Sequence, residues 1–185
     1  MRSIKTKFVA ILVLLLALSG IVLGNAPVAF VDLDDFKSTP PPAACTEIQV
    51  PEGNRVSFHV FAIGVQIYKW NGVTWDFVGP MATLFSDAGY TDEVGIHYAG
   101  PTWQSTSGGK VVASRVAGCS PDPTAIPWLL LRSVSNSGAG IFRSVTYIQR
   151  VNTTGGLSPA TPGSAIGDIM QVPYTAEYYF YRAEA

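Results

Sequence analysis

The chain has 185 residues, 48% of them hydrophobic and 14% charged, a composition that supports a packed core and excludes wholesale disorder. Twelve basic against thirteen acidic side chains leave a formal net charge of -1. With no basic excess to neutralise phosphates, no nucleic-acid partner is expected.

The N-terminus differs from the rest. Arg2, Lys5 and Lys7 precede an apolar run from Phe8 to Leu18, which resumes after Ser19-Gly20 as Ile21 to Leu23. A positive n-region, an apolar h-region and small residues near its end describe a secretory signal, assigned to residues 1–24. The run is slightly short for a membrane span of roughly 17–25 residues. Cleavage is therefore expected, and a membrane contact follows only if the segment stays uncleaved. The mature protein is expected to be secreted or held in the cell envelope. Residues 25–46 carry Asp32, Asp34, Asp35 and Pro40-Pro41-Pro42, which reads as a Pro-rich linker or arm. The folded part is expected near Ile48, as a single all-β domain over 47–184. Cys45 and Cys119 are the two cysteines. In an oxidising compartment they read as a disulfide, with two buried, reduced thiols as the alternative.

From Ile48 onward Gly, Pro, Asn and Ser recur every eight to twelve residues, the spacing of an antiparallel sandwich or closed barrel. The first strand expected is Arg55–Ala62. Asn71-Gly72, flanked by aromatic and β-branched residues from Ile67 to Phe77, predicts a hairpin with a type I′ turn. Gly79–Ala88 is the one stretch expected to give a turn or two of helix. Ser107-Gly108-Gly109 predicts a second hairpin, joining Thr102–Ser105 to Lys110–Val116. Further strands are expected at Trp128–Val134, Phe142–Val151 and Tyr174–Tyr181. In the last of these, alternation puts Tyr174, Ala176, Tyr178 and Phe180 on one face and Tyr179 and Tyr181 on the other.

Chemistry-bearing patterns are sparse. The two histidines, His59 and His97, belong to no H-x-H or H-E-x-x-H pattern, and the cysteines form no C-x-x-C, so no metal is expected. Gly138-Ala139-Gly140 lacks the third glycine of a dinucleotide loop and is followed by a strand-like run rather than a helix, so it reads as a hairpin turn and no cofactor is expected. No G-x-S-x-G elbow occurs. Asn152-Thr153-Thr154 is a glycosylation sequon, meaningful only in a eukaryotic secretory pathway. His59 sits in an apolar strand and reads as structural. The segment from Gly95 to Trp103 concentrates His97, Tyr98 and Trp103 between glycines, close after Asp92 and Glu93. A ligand-contacting surface of His97, Tyr98, Trp103 and Glu93 is the functional reading, and a turn held by Gly100-Pro101 the structural one. Within it Trp103 is expected in the core and His97 at the rim of a groove.

Several stretches together resemble an exported family, the domain of unknown function numbered 3455. They are Gly64-Val65-Gln66-Ile67-Tyr68, His97 to Trp103, Ile126 to Leu131, Val145 to Thr153 with Gly155-Gly156, and Pro173 to Phe180. The resemblance implies the β fold and export. Relatives often place a Cys after the Gln-Ile-Tyr strand and another after the Gly-Gly segment, where this chain has Trp70 and, roughly, Gly163. Both are lost together, as for a missing bridge. Some members carry the label malate dehydrogenase, but this chain has neither a cofactor loop nor βαβ alternation. The sequence thus leads to non-catalytic binding of a small molecule, glycan or surface partner, with a hydrolase or other enzyme using His97 with Asp92 or Glu93 as the alternative.

Overall fold

The computed structural model describes residues 43–184, so the signal segment and most of the Pro-rich arm lie outside the described residues. Eight antiparallel strands follow a short 3-10 turn at Ala43–Ile48: β1 Asn54–Trp70, β2 Trp75–Phe85, β3 Glu93–Tyr98, β4 Thr102–Ser105, β5 Lys110–Cys119, β6 Trp128–Ser137, β7 Val145–Gly155 and β8 Ile169–Ala183. Each pairs with the next, and β8 returns to β1, closing the sheet into a barrel. Closure leaves no sheet edge to pair with another chain.

The period of two decides what fills the interior. Val60 and Ala62 of β1, Ala82 and Leu84 of β2, Val111 and Ala113 of β5 and Tyr174, Ala176, Tyr178 and Phe180 of β8 are buried inward-facing residues. Small and large side chains alternate so that the wall can curve around the aromatics. Gly64 belongs to this inner row, and a Cβ there would lie 2.5 Å from the Ala82 Cα, so only glycine lets β1 and β2 approach. One end of the barrel is plugged by Phe142 from the β6–β7 connection, 5.3 Å from the Phe58 ring and 5.1 Å from that of Phe180.

A second apolar cluster covers the outside. Cys45 and Ile48 rest on Leu130 and Val151, with Trp128, Tyr147 and Tyr179 around them. Gln149, buried between the layers, donates to the Ile48 carbonyl at 2.9 Å and accepts from the Tyr181 hydroxyl at 3.1 Å. The outer aromatic face of β8 is thus covered, and the folded part starts several residues before Ile48. Cys45 and Cys119 form a disulfide with Cα atoms 5.6 Å apart, closing a separation of 74 residues. Replacing both by Ala is expected to cost about 2–4 kcal/mol, through the freed unfolded chain and the loosened cover. A urea midpoint equal to that of the unmodified chain would show that the bridge adds nothing.

Several expectations need correction. The Asn71-Gly72 hairpin is present, but its loop is four residues rather than a type I′ pair. Asn71 Oδ1 accepts from the Val73 and Thr74 amides at 2.9 and 2.8 Å, and that side-chain turn displaces the tighter one. Gly79 to Phe85 is strand, not helix. Gly79 and Pro80 look like helix-edge punctuation, yet they follow a bulge at which β1 pairs Ile67 with Gly79 but Tyr68 with Phe77. Phe142 precedes its strand rather than opening it. Trp70 lies against Gly163, where a Cβ would fall 2.7 Å from that of Trp70, so the two places at which the resemblance leads one to expect cysteines are close neighbours here.

Candidate functional site

The unplugged end of the barrel holds a cavity of about 400 Å³. Gln66 and Tyr68 come from the end of β1, Phe77 to Pro80 from the bulge of β2, and Arg115 from β5. Leu129 and Leu131 of β6, Arg150 of β7 and Tyr178 of β8 complete the strand wall. Register places His97 of β3 directly opposite Trp103 of β4, with Gly100 and Pro101 in the turn between them. Ile126 and Pro127 roof the space from the β5–β6 loop.

The roof is tied down by specific bonds. Arg150 donates from Nε and Nη2 to the Pro127 carbonyl at 3.1 and 2.7 Å. Thr153 Oγ1 donates to the Ile126 carbonyl at 2.6 Å, and the Ile126 amide to Gly155 at 2.9 Å. Tyr68 crosses the end to donate to the Gly156 carbonyl at 2.6 Å. Gly156 has φ +76° and a Cβ there would press on Tyr174, Gln66 and Ile126, so the backbone itself forms part of the lining. Phe77 and Val78 are 56% and 52% exposed and form an apolar lip.

His97 is 3% exposed and stacks on Trp103 with ring centroids 4.2 Å apart and planes at 11°. Its Nδ1 lies 2.8 Å from the Thr102 carbonyl. A carbonyl only accepts, so Nδ1 carries the proton and Nε2 keeps its lone pair. Burial pushes the imidazole pKa down to about 3, with the charge of Arg150 acting the same way against the Thr102 bond, so the ring is neutral at ordinary pH. Burial also raises the Tyr174 and Tyr178 hydroxyls, with the Arg150 charge opposing it.

Among the described residues, the buried polar atoms without a hydrogen bond of good geometry include Gln66 Nε2, Trp103 Nε1 and the Tyr174 and Tyr178 hydroxyls, which neighbour each other and Arg150. Such groups are uncommon in folded interiors, because each lost its water without a replacement. Three of these residues, Gln66, Trp103 and Tyr178, line the cavity. Arginines supply its only charges, and no carboxylate is among the lining residues.

The residues expected from sequence separate. His97 and Trp103 meet in the cavity wall, but His97 is buried there rather than at a groove rim, because alternation along β3 turns it inward with Gly95. Tyr98, the next residue, faces outward, where its hydroxyl donates to Gln104 at 3.0 Å. Glu93 is exposed at the other end of β3, roughly 13 Å along the strand from His97. Asp92 accepts from Ser86 at 2.6 Å in the β2–β3 turn. His97 therefore has neither acid within reach. The histidine–carboxylate pair that does form is His59 with Glu177, 2.9 Å apart, and neither residue lines the cavity. His59 also stacks on Tyr179 at 4.0 Å. Sequence reasoning missed Gln66, Arg150 and Tyr178 as site residues. The available signal was a polar side chain at an inward position, Gln66 after Val60, Ala62 and Gly64, and Arg150 after Ile148.

Among the described residues, no three His, Cys, Asp or Glu side chains gather as a metal site, and no helix is long and apolar enough to cross a membrane. No curated protein and no solved structure matches the chain. A family model described as "Protein of unknown function (DUF3455)" matches residues 51–182, which include the whole barrel except Ala183, and the chain belongs to that family.

Proposed function

We propose that the chain is an exported, non-catalytic binding protein that takes a small, largely apolar molecule into the open end of its barrel. The observation that carries this is the cavity itself. Its volume of about 400 Å³ falls among small-molecule sites, typically 300–1,000 Å³, and apolar walls with a few placed polar groups are their usual lining. A small molecule is favoured over a glycan or a surface partner because Trp103 stacks inside the barrel and offers no exposed platform. The signal-like N-terminus and the disulfide support export into an oxidising compartment.

The test is a neutral apolar dye, Nile red, titrated into the full chain. Saturable fluorescence enhancement with a stoichiometry near one is expected. Leu129→Trp, which places an indole in the open space, should abolish it while changing stability by no more than about 1–3 kcal/mol. Equal dye binding by the folded variant would overturn the assignment to this cavity.

A further inference from the structure

The polar atoms left unpaired in the cavity are nearly all donors. Gln66 Nε2 and Trp103 Nε1 can only donate, and the Tyr178 hydroxyl has its proton available. Arg150 gives two of its five N–H groups to the Pro127 carbonyl and neighbours the Tyr178 hydroxyl, so it keeps N–H groups for a ligand. It has no acidic partner: the ion pair found among the described residues joins His59 and Glu177, and no Asp or Glu lines the cavity. A half-buried cation beside apolar walls, answered by one carbonyl and the neutral Tyr178 hydroxyl, is an unbalanced arrangement. The missing component is an anion with several acceptor lone pairs.

We infer that the ligand carries a carboxylate head, seated on Arg150 and reached by Gln66, Trp103 and Tyr178, with its apolar body toward the lip at Phe77 and Val78. This rests on the reading of the barrel as a small-molecule binder and adds the class of ligand. A carboxylate fits better than a cation or a neutral polar head because both of its oxygens accept, and the free edge of a guanidinium matches it in a two-point fork. The orientation follows from burial. Gln66 and Tyr178 are 2% and 0% exposed, whereas Phe77 and Val78 are more than half exposed. Donors therefore sit deep and the apolar lip faces solvent, so the molecule enters head first. Arg115, exposed on the same lining, adds a second positive charge at the approach.

The experiment uses one apolar body with three heads: octanoate, octan-1-ol and octylamine, added to the full chain at pH 7.5. Binding is read from Trp fluorescence and from the rise in unfolding temperature that a ligand of the folded state produces. Octanoate should bind at least tenfold tighter than octanol, and octylamine more weakly than either. Arg150→Gln should remove the preference, bringing octanoate down to the level at which the same variant binds octanol. Because Arg150 also anchors Pro127, Gln66→Leu provides a second variant that spares the anchor and should weaken octanoate several-fold more than it weakens octanol. Octanol binding as tightly as octanoate to the unmodified chain, or octylamine binding tightest, would overturn the carboxylate head and leave the small-molecule reading standing. Failure of all three probes to bind would overturn both.

Discussion

Trp103→Ala lowers the unfolding free energy by about 3–5 kcal/mol, as expected for a buried indole that loses its packing and leaves a cavity behind. Trp103 is 1% exposed and is held by three rings: His97 stacked at 4.2 Å, Tyr178 edge-on at 5.4 Å and Phe180 edge-on at 6.1 Å. Its Nε1 has no partner, so the loss is one of contact and burial rather than of a hydrogen bond. Trp70 and Trp75 face each other at 5.4 Å across the β1–β2 hairpin and are only half-buried, so Ala at either position should cost clearly less. Urea midpoints of the three variants check this. A midpoint unmoved by Trp103→Ala would mean that the ring is not part of the core and would remove the rigid wall on which the cavity depends.

The same ring shows how far the sequence could be read. Inward alternation along Tyr174, Ala176, Tyr178 and Phe180 was visible because every second residue is apolar, and all four are buried. Hairpins at Asn71-Gly72 and Ser107-Gly109 were visible because turns need residues that tolerate unusual backbone angles; Gly72 and Gly108 have φ of +101° and +89°. The full length of β1 was hidden. Gly64 and Gln66 look like a break after Ala62, but the glycine is there to admit Ala82, and the glutamine faces the cavity. The site itself was half legible. His97 and Trp103 are near in sequence and pair across one turn, so local reasoning found them. Gln66, Arg150 and Tyr178 meet them only because the barrel closes β1 onto β8. Nothing local announces that three residues from distant strands share one end, and Glu93 was drawn in by sequence proximity although its strand carries it to the other end. The deciding quantity is direction along each strand, which pairing register fixes and composition does not.

Acidification provides the second large effect. In the unfolded chain the His97 ring accepts a proton near the ordinary imidazole value of 6.5, but in the folded barrel burial delays this to about 3. Between those values the unfolded state binds one more proton than the native state, so stability falls as the pH falls and is complete above 6.5. The slope from this group is about 1.4 kcal/mol per pH unit, and its sum across the window is on the order of 5 kcal/mol. The upper part of the window isolates the effect, because hydrogen bonds to Asp87 and Asp122 hold these carboxyls below the usual carboxylate range. His59 is shifted in the same direction by burial, against the pull of Glu177, and must be separated. The measurement is therefore a set of urea midpoints from pH 7 to pH 4 for the unmodified chain, His97→Gln and His59→Gln. His97→Gln should flatten the acid slope by close to one proton, and His59→Gln by less. In parallel, the ring nitrogens of folded His97 should show the neutral form with the proton on Nδ1 down to pH 4, as the bond to the Thr102 carbonyl requires. A His97 resonance that titrates near 6.5 in the folded protein would mean the ring is open to water. That result would contradict the sealed wall of His97 and Trp103, and with it the deep, dry seat inferred for the ligand's head.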